Sequence, residues 1–77
     1  MKYFLVSGSI RDGEAEYNDY FIVKEVNLDK ACKLADKIVG QELGYGDYRI
    51  VEVDRVQEIE LQEAKILERL SVAYVAN

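Results

Sequence analysis

The sequence predicts an α+β fold of the order β-β-α-β-α, with helices packed on a three-stranded, mainly antiparallel sheet. Three observations predict this fold. An Asp-Gly pair, Asp12–Gly13, separates two segments rich in aromatic and β-branched residues, which is a strong hairpin signal. The spacing of apolar residues changes to the helical period at Leu28. A chain of 77 residues has the length of one domain, so we expect residues 1–77 to form a single domain.

The hairpin is predicted to join a first strand over residues 2–10 to a second strand over residues 16–26. Both segments carry the aromatic and β-branched side chains that are enriched in strands. In the first strand, Phe4, Val6 and Ile10 share one face because side chains alternate with a period of two. This face is therefore expected to be apolar and to receive a helix.

The register of the hairpin stays open at the level of the sequence. A two-residue turn at Asp12–Gly13 would pair Phe4 with Phe21. The same register would place Asp19 opposite Val6, on the apolar face. A bulge in one of the strands would relieve this conflict.

The first helix is predicted to run from Leu28 to about Gly40, with Asn27 as its N-cap. Apolar residues fill one arc of its helical wheel, and charged residues fill the opposite arc. A third strand is predicted over residues 48–53. Its alternation slips at Asp54–Arg55, which predicts a bulge if the strand continues.

The second helix is predicted from the segment 58–77, with acidic residues in its first turns, where the helix dipole favours negative charge. Its apolar stripe consists of Ile66, Leu67, Leu70, Ala73 and Tyr74. Leu61, Val72 and Val75 do not fit that stripe. Either the helix ends near Ser71, or these residues form a second apolar surface.

The composition excludes several classes of function. The chain has no histidine and a single cysteine, Cys32, so it has neither an imidazole base nor an internal disulfide. We therefore expect no enzymatic activity, no metal site and no cofactor. The net charge of −5 argues against direct binding to nucleic acid. No apolar run reaches the length of a membrane span, and no secretion signal is visible, so a cytoplasmic location without membrane contact is expected.

Two features instead predict a surface that binds a protein. Six tyrosines are many for 77 residues, and tyrosine is enriched at interfaces. Between Glu52 and Glu68, six acidic residues accompany only two basic ones, which suits a partner with a basic surface. The predicted partner-binding residues are Tyr17, Tyr20, Tyr45, Tyr48, Glu52, Asp54, Glu58, Glu60 and Glu63.

The layout resembles that of small phage-encoded anti-CRISPR proteins. The features that carry the resemblance are an acidic chain, a hairpin, an N-capped helix that opens Asn27-Leu28-Asp29-Lys30-Ala31, and the strand Tyr48-Arg49-Ile50-Val51. The resemblance covers most of the chain as layout and transfers no residue roles. It implies stoichiometric binding to a defence nuclease or surveillance complex, which blocks access of nucleic acid.

The predicted function is therefore that of a small acidic protein-binding module, in its specific form a phage-type inhibitor of a nucleic-acid-handling complex. The alternative is a self-associating structural or accessory subunit, for which a homodimer is the simplest assembly. The edge strands of a small sheet and the unplaced Val72 and Val75 motivate this alternative.

Overall fold

The computed structural model describes residues 1–12, 15–40 and 50–76. The chain forms an α+β fold, as the sequence predicts, and the expected order β-β-α-β-α is followed by one further short strand. The elements in chain order are β1 (Lys2–Asp12), β2 (Ala15–Glu25), α1 (Leu28–Gly40), β3 (Ile50–Ile59), α2 (Leu61–Arg69) and β4 (Tyr74–Val75).

The sheet has four strands in the order β3-β1-β2-β4. β1 is antiparallel to both β2 and β3, whereas β4 is parallel to β2. The predicted three-stranded, mainly antiparallel sheet is thus incomplete, because the described residues after α2 add a short parallel strand. The hairpin β1–β2 occupies the centre of the sheet, and β3 and β4 form its two edges.

The two helices pack on opposite faces of the sheet. On one face, Phe4 and Val6 of β1 and Phe21 and Val23 of β2 pack against α1. The residues that alternate with them, including Ile22, face the side that α2 covers through Ala64. Both central strands are consequently buried on both faces.

The structure settles the hairpin register, which the sequence left open; it differs by two residues from the register of a two-residue turn at Asp12–Gly13. Phe21 lies opposite Val6 rather than Phe4, and Asp19 lies opposite Gly8 rather than Val6. Because glycine has no side chain, this register leaves room for the Asp19 carboxylate and removes the predicted clash with a valine. The predicted bulge in the hairpin is not needed, since the pairing from Lys2 to Asp12 has no register shift. The second residue of the predicted turn, Gly13, lies outside the described residues.

The first helix confirms its prediction. It runs from Leu28 to Gly40, and the side-chain Oδ1 of Asn27 accepts a hydrogen bond from the Lys30 N–H at 2.9 Å. This bond satisfies one of the N–H groups that a helix start leaves without an intrahelical partner. Ala31 and Ala35 are fully buried against the sheet, so the helix backbone approaches the strands closely.

The third strand contains the bulge that its sequence predicts. Pairing with β1 jumps from Ser7–Arg55 to Gly8–Val53, which leaves Asp54 as the extra residue. A second shift lies between Ser9 and Ile10. The predicted start at residues 48–49 lies outside the described residues, and the strand continues farther than predicted, to Ile59.

The second helix is much shorter than predicted. Glu58 belongs to β3 rather than to the helix, and Glu60 is the N-cap. The Glu60 backbone N–H donates to the Glu63 carboxylate at 3.5 Å, as in a capping box. The acidic start of the helix is therefore confirmed for Glu60 and Glu63 only.

The end of α2 explains why the predicted apolar stripe does not form. Ser71 has a positive φ of 58°, and its N–H donates to the Glu68 carbonyl at 3.1 Å. The Val72 N–H donates to the Leu67 carbonyl at 2.9 Å, which completes a Schellman motif. The chain then turns back to the sheet, where Tyr74 pairs with Phe21. Of the two alternatives, the helix thus ends before Ser71.

Both helices are short. α1 has 13 residues and α2 has nine, whereas a helix that crosses a membrane needs about 20. In the part of the chain that the structure describes, no helix is long and apolar enough to span a membrane.

Replacing Ser71 by glycine should raise the free energy of unfolding by up to about 1 kcal/mol. A left-handed backbone costs a non-glycine residue about 1–2 kcal/mol, and the greater unfolded-state freedom of glycine offsets about 0.4–1 kcal/mol of that gain. Urea unfolding of Ser71→Gly and Ser71→Val measures the effect, and the β-branched variant should be less stable than the native protein. Equal stability of all three proteins would contradict the left-handed geometry at this residue.

Candidate partner-binding surface

The described acidic residues from the predicted set follow one edge of the sheet. Glu52, Asp54 and Glu58 lie on the edge strand β3, and Glu60 and Glu63 lie at the start of α2. All five side chains are exposed. We call these five residues the acidic edge.

The register shows how the acidic edge is arranged. Glu52 lies opposite Ser9 and shares the face that α2 covers, whereas Glu58 lies opposite Phe4 and shares the face of α1. Asp54 lies between them at the bulge. Because the carboxylates belong to both faces, they follow the rim of the sheet instead of covering one face.

Two members of the acidic edge have polar partners on β1. The Ser9 hydroxyl donates to Asp54 Oδ2 at 2.6 Å, and Lys2 Nζ lies 3.1 Å from Glu58 Oε1. Both side chains of the ion pair are more than half exposed, so the pair contributes at most about 1 kcal/mol. Arg55 is an exposed positive charge within the same strand. The acidic edge therefore keeps a net negative charge.

The charges and bulges of β3 also have a structural effect. An edge strand presents unpaired backbone groups, and charged side chains and bulges are two ways in which proteins prevent such an edge from pairing with another chain. β3 has two register shifts and four exposed charged residues, namely Glu52, Asp54, Arg55 and Glu58. Pairing of β3 with a strand from another chain is therefore disfavoured. A partner at this edge contacts the side chains of β3 rather than its backbone.

The predicted tyrosines do not join the acidic edge where the structure describes them. Tyr20 lies on β2 and packs in the α2-side cluster with Ile22. It shares a row with Ser7 and Arg55, so β1 separates it from β3 by about 10 Å. Tyr17 also lies on β2, where it pairs with Ile10. Tyr45 and Tyr48 lie outside the described residues.

Sequence reasoning missed two features. One is an acidic stretch of β2, because its residues from Ala15 to Val23 include Glu16 and Asp19 and no lysine or arginine. Counting charge in this window would have found it. The other is a group of exposed apolar residues at the end of α2, of which Ile66 and Leu70 were expected in the helical stripe and Val72 outside it. We call Ile66, Leu70 and Val72 the apolar patch; their exposed fractions are 48%, 65% and 44%.

Cavities lie beside α2. One of about 550 Å³ is lined by Glu60, Leu61, Gln62 and Lys65, and its volume lies within the range of about 300–1,000 Å³ that is usual for small-molecule sites. A smaller one of about 240 Å³ lies between α2 and the sheet, lined in part by Tyr3 and Lys24. Lys24 Nζ lies 5.7 Å from the Tyr3 ring centroid, a cation–π contact that stabilises this corner. Among the described residues, no group of three potential ligands could hold a metal ion.

The chain matches no protein-family model, no curated protein and no solved structure. Its function is therefore inferred from the chemistry of its own surface.

Removing charge from the β3 edge should cause association. The double variant Glu52→Val/Arg55→Val deletes one charge of each sign, keeps the net charge at −5 and leaves the edge with less protection. Light scattering should then show an average mass that rises with concentration.

The matched control is Asp36→Val/Lys37→Val on the exposed side of α1, which also removes one charge of each sign and exposes two valines. This control should scatter light like the native protein. Equal association of both variants would show that added apolar surface, rather than an unprotected strand edge, is responsible.

Proposed function

We propose that this protein is a small protein-binding module whose acidic edge docks on a basic surface of a partner protein. One observation carries the proposal: five exposed carboxylates follow a single edge of the sheet into the first turn of α2. They are held on a strand and a helix start rather than on a long loop. A rigid row of like charges favours partners of the opposite charge and speeds their association.

The extended shape of the acidic edge supports the specific form of the proposal. Carboxylates along a strand present negative charge in a line, as the phosphates of a nucleic-acid backbone do. A protein with a basic groove for nucleic acid would thus meet similar charge on this module. In this form, suggested by the resemblance to anti-CRISPR proteins, the bound module competes with nucleic acid for the groove and inhibits the partner.

Reversing charge on the acidic edge should abolish capture of the partner. The test variant is Glu52→Lys/Glu58→Lys, and the control is Asp29→Lys/Asp36→Lys on α1. Each replacement adds two positive charges, so both variants change the net charge from −5 to −1. Each also removes one exposed ion pair, Lys2–Glu58 or Asp29–Lys33. The variants therefore differ in the position of the charge rather than in its amount.

The measurement is affinity purification from bacterial lysate, with quantitative mass spectrometry of the proteins that co-purify. A protein retained by the native chain and the control, but lost at least about tenfold with the test variant, supports the proposal, since about 1.4 kcal/mol corresponds to that factor. Retention should also fall with rising salt and with added nucleic acid. Equal retention on both variants would refute a role for the acidic edge.

The apolar patch favours a second candidate function, self-association. Ile66 and Leu70 lie one helical turn apart on α2, and Val72 follows in the turn that ends the helix. Exposed apolar groups of this kind mark interaction sites when they are contiguous. A homodimer through the apolar patch would use α2 and the turn after it, and would leave the three carboxylates of β3 on a different element of each copy.

If the patch mediates self-association, Ile66→Lys/Leu70→Lys should convert a dimer into a monomer. The control is Val26→Lys/Leu28→Lys, since these two side chains are about equally exposed, at 48% and 51%, and lie at the start of α1. Size-exclusion chromatography with light scattering over a concentration series measures the mass. A native protein that stays monomeric at the highest concentration would exclude this candidate.

A further inference from the structure

The outer edge of β2 is only partly covered. β2 extends from Ala15 to Glu25, but β4 pairs with it at Phe21 and Ile22 alone. No other described strand pairs with the outer edge of β2. The stretch from Ala15 to Tyr20 therefore has a partner strand, β1, on one side only.

The contacts of β4 show which backbone groups point outwards along this stretch. The Ala76 N–H donates to the Ile22 carbonyl at 2.9 Å, so the backbone groups of Ile22 point away from β1. Backbone direction alternates along a strand, and therefore Tyr20, Asn18 and Glu16 also point outwards. The Tyr20 N–H agrees with this, because it donates to its neighbour Asp19 Oδ1 at 2.9 Å.

This edge lacks the protection that the opposite edge has. β3 carries two register shifts, whereas the β1–β2 pairing has none from Lys2 to Asp12. An unbroken strand edge with unpaired N–H and C=O groups is a template for strand addition. β4 is an example of such an added strand, since it pairs with the same edge of β2 at Phe21 and Ile22.

The charge of β2 determines which kind of strand can pair with this edge. The stretch Ala15–Tyr20 of β2 contains two acidic residues, Glu16 and Asp19, and no basic residue, and the Asp19 carboxylate accepts the Tyr20 N–H. A second copy would bring this acidic stretch against itself, and like charges on paired strands are destabilising. A strand with lysine or arginine side chains instead pairs its charges with these carboxylates.

We propose that the outer edge of β2, from Glu16 to Tyr20, accepts an extended basic segment of another protein as an added strand. The segment bonds to the outward backbone groups of Glu16 and Asn18, and its carbonyl replaces the Asp19 carboxylate on the Tyr20 N–H. The site is distinct from the acidic edge, from which it is separated by the width of the sheet. Binding at the β2 edge and binding at the acidic edge can therefore be tested independently of each other.

The test uses the whole chain and a capped heptapeptide of alternating lysine and valine at millimolar concentration. Amide hydrogen exchange is followed by NMR. Binding should slow exchange about tenfold or more at the outward N–H groups of Glu16 and Asn18, because exchange then requires the added strand to open. The inward N–H groups of Tyr17 and Asp19, which point to β1, should change much less. The same peptide with glutamate in place of lysine should have no effect.

Two variants of Asn18 distinguish binding through its backbone N–H from binding through its side chain. Asn18→Ala keeps the outward N–H and should bind the lysine peptide as the native chain does. Asn18→Pro removes that N–H but leaves the hydrogen bonds to β1 in place, because an edge strand tolerates proline where its N–H points outwards. The lysine peptide should then no longer slow amide exchange. Native-like chemical shifts of Val6 and Phe21 report that the variant is folded.

The proposal would be overturned by protection that does not alternate between outward and inward amides, by equal protection by the glutamate peptide, or by undiminished binding to folded Asn18→Pro. Protection that grows with protein concentration in the absence of peptide would also overturn it, since the occupant would then be a second copy. The comparison of the two peptides on the native chain decides the matter even if the proline variant does not fold.

Discussion

Burial of the central hairpin on both faces is the constraint on which the other features depend. Among the residues that the structure describes, the five largest fully buried side chains belong to β1 and β2, namely Phe4, Phe21, Ile22, Val6 and Val23. Each contributes about 1.5–3 kcal/mol relative to an exposed side chain. Because neighbouring residues of β2 point to opposite faces, a helix is needed on each side. The positions of α1 and α2, and hence of the two sheet edges, follow from this requirement.

The features that the sequence predicts correctly are those with local causes. The Asn27 cap and the helical spacing that follows it lie within one segment, and α1 has the expected bounds. The slip of alternation at Asp54 is also visible within a few residues, and the bulge lies there. Local patterns suffice when the partners of a residue are its chain neighbours.

The features that the sequence predicts incorrectly depend on residues far along the chain. Tyr74 fits a helical stripe, but its ring stacks on Phe21 at a centroid distance of 6.2 Å, as part of a strand that no local pattern marks. Two residues is too short a strand for periodicity to show. The hairpin register stayed open for a related reason, because the cost of placing Asp19 opposite Val6 or opposite Gly8 depends on the face that a later element, α1, covers.

The candidate site also combines features that the sequence predicts with features that depend on the fold. Composition revealed the acidic residues, and their exposure follows from their charge. Their common position on one edge could not be read from the chain, because strand order decides which element is outermost. The tyrosines were grouped by residue type alone, and the structure places Tyr20 two strands away from β3. The stretch of β2 over residues 15–20, which β4 does not pair with, could be recognised only after the extent of β4 was known.

The strand order has a consequence for how the chain reaches its native state. The centre of the sheet forms between neighbours in sequence, and isolated hairpins form in about 1–10 μs. Both edges close much longer loops; the contact between Ser9 and Asp54 spans 45 residues. Such long-range contacts slow folding. Between Lys2 and Glu25 the chain has five acidic and three basic residues, and this net negative charge gives hairpins that are not yet paired with β3 a mutual repulsion that counters aggregation.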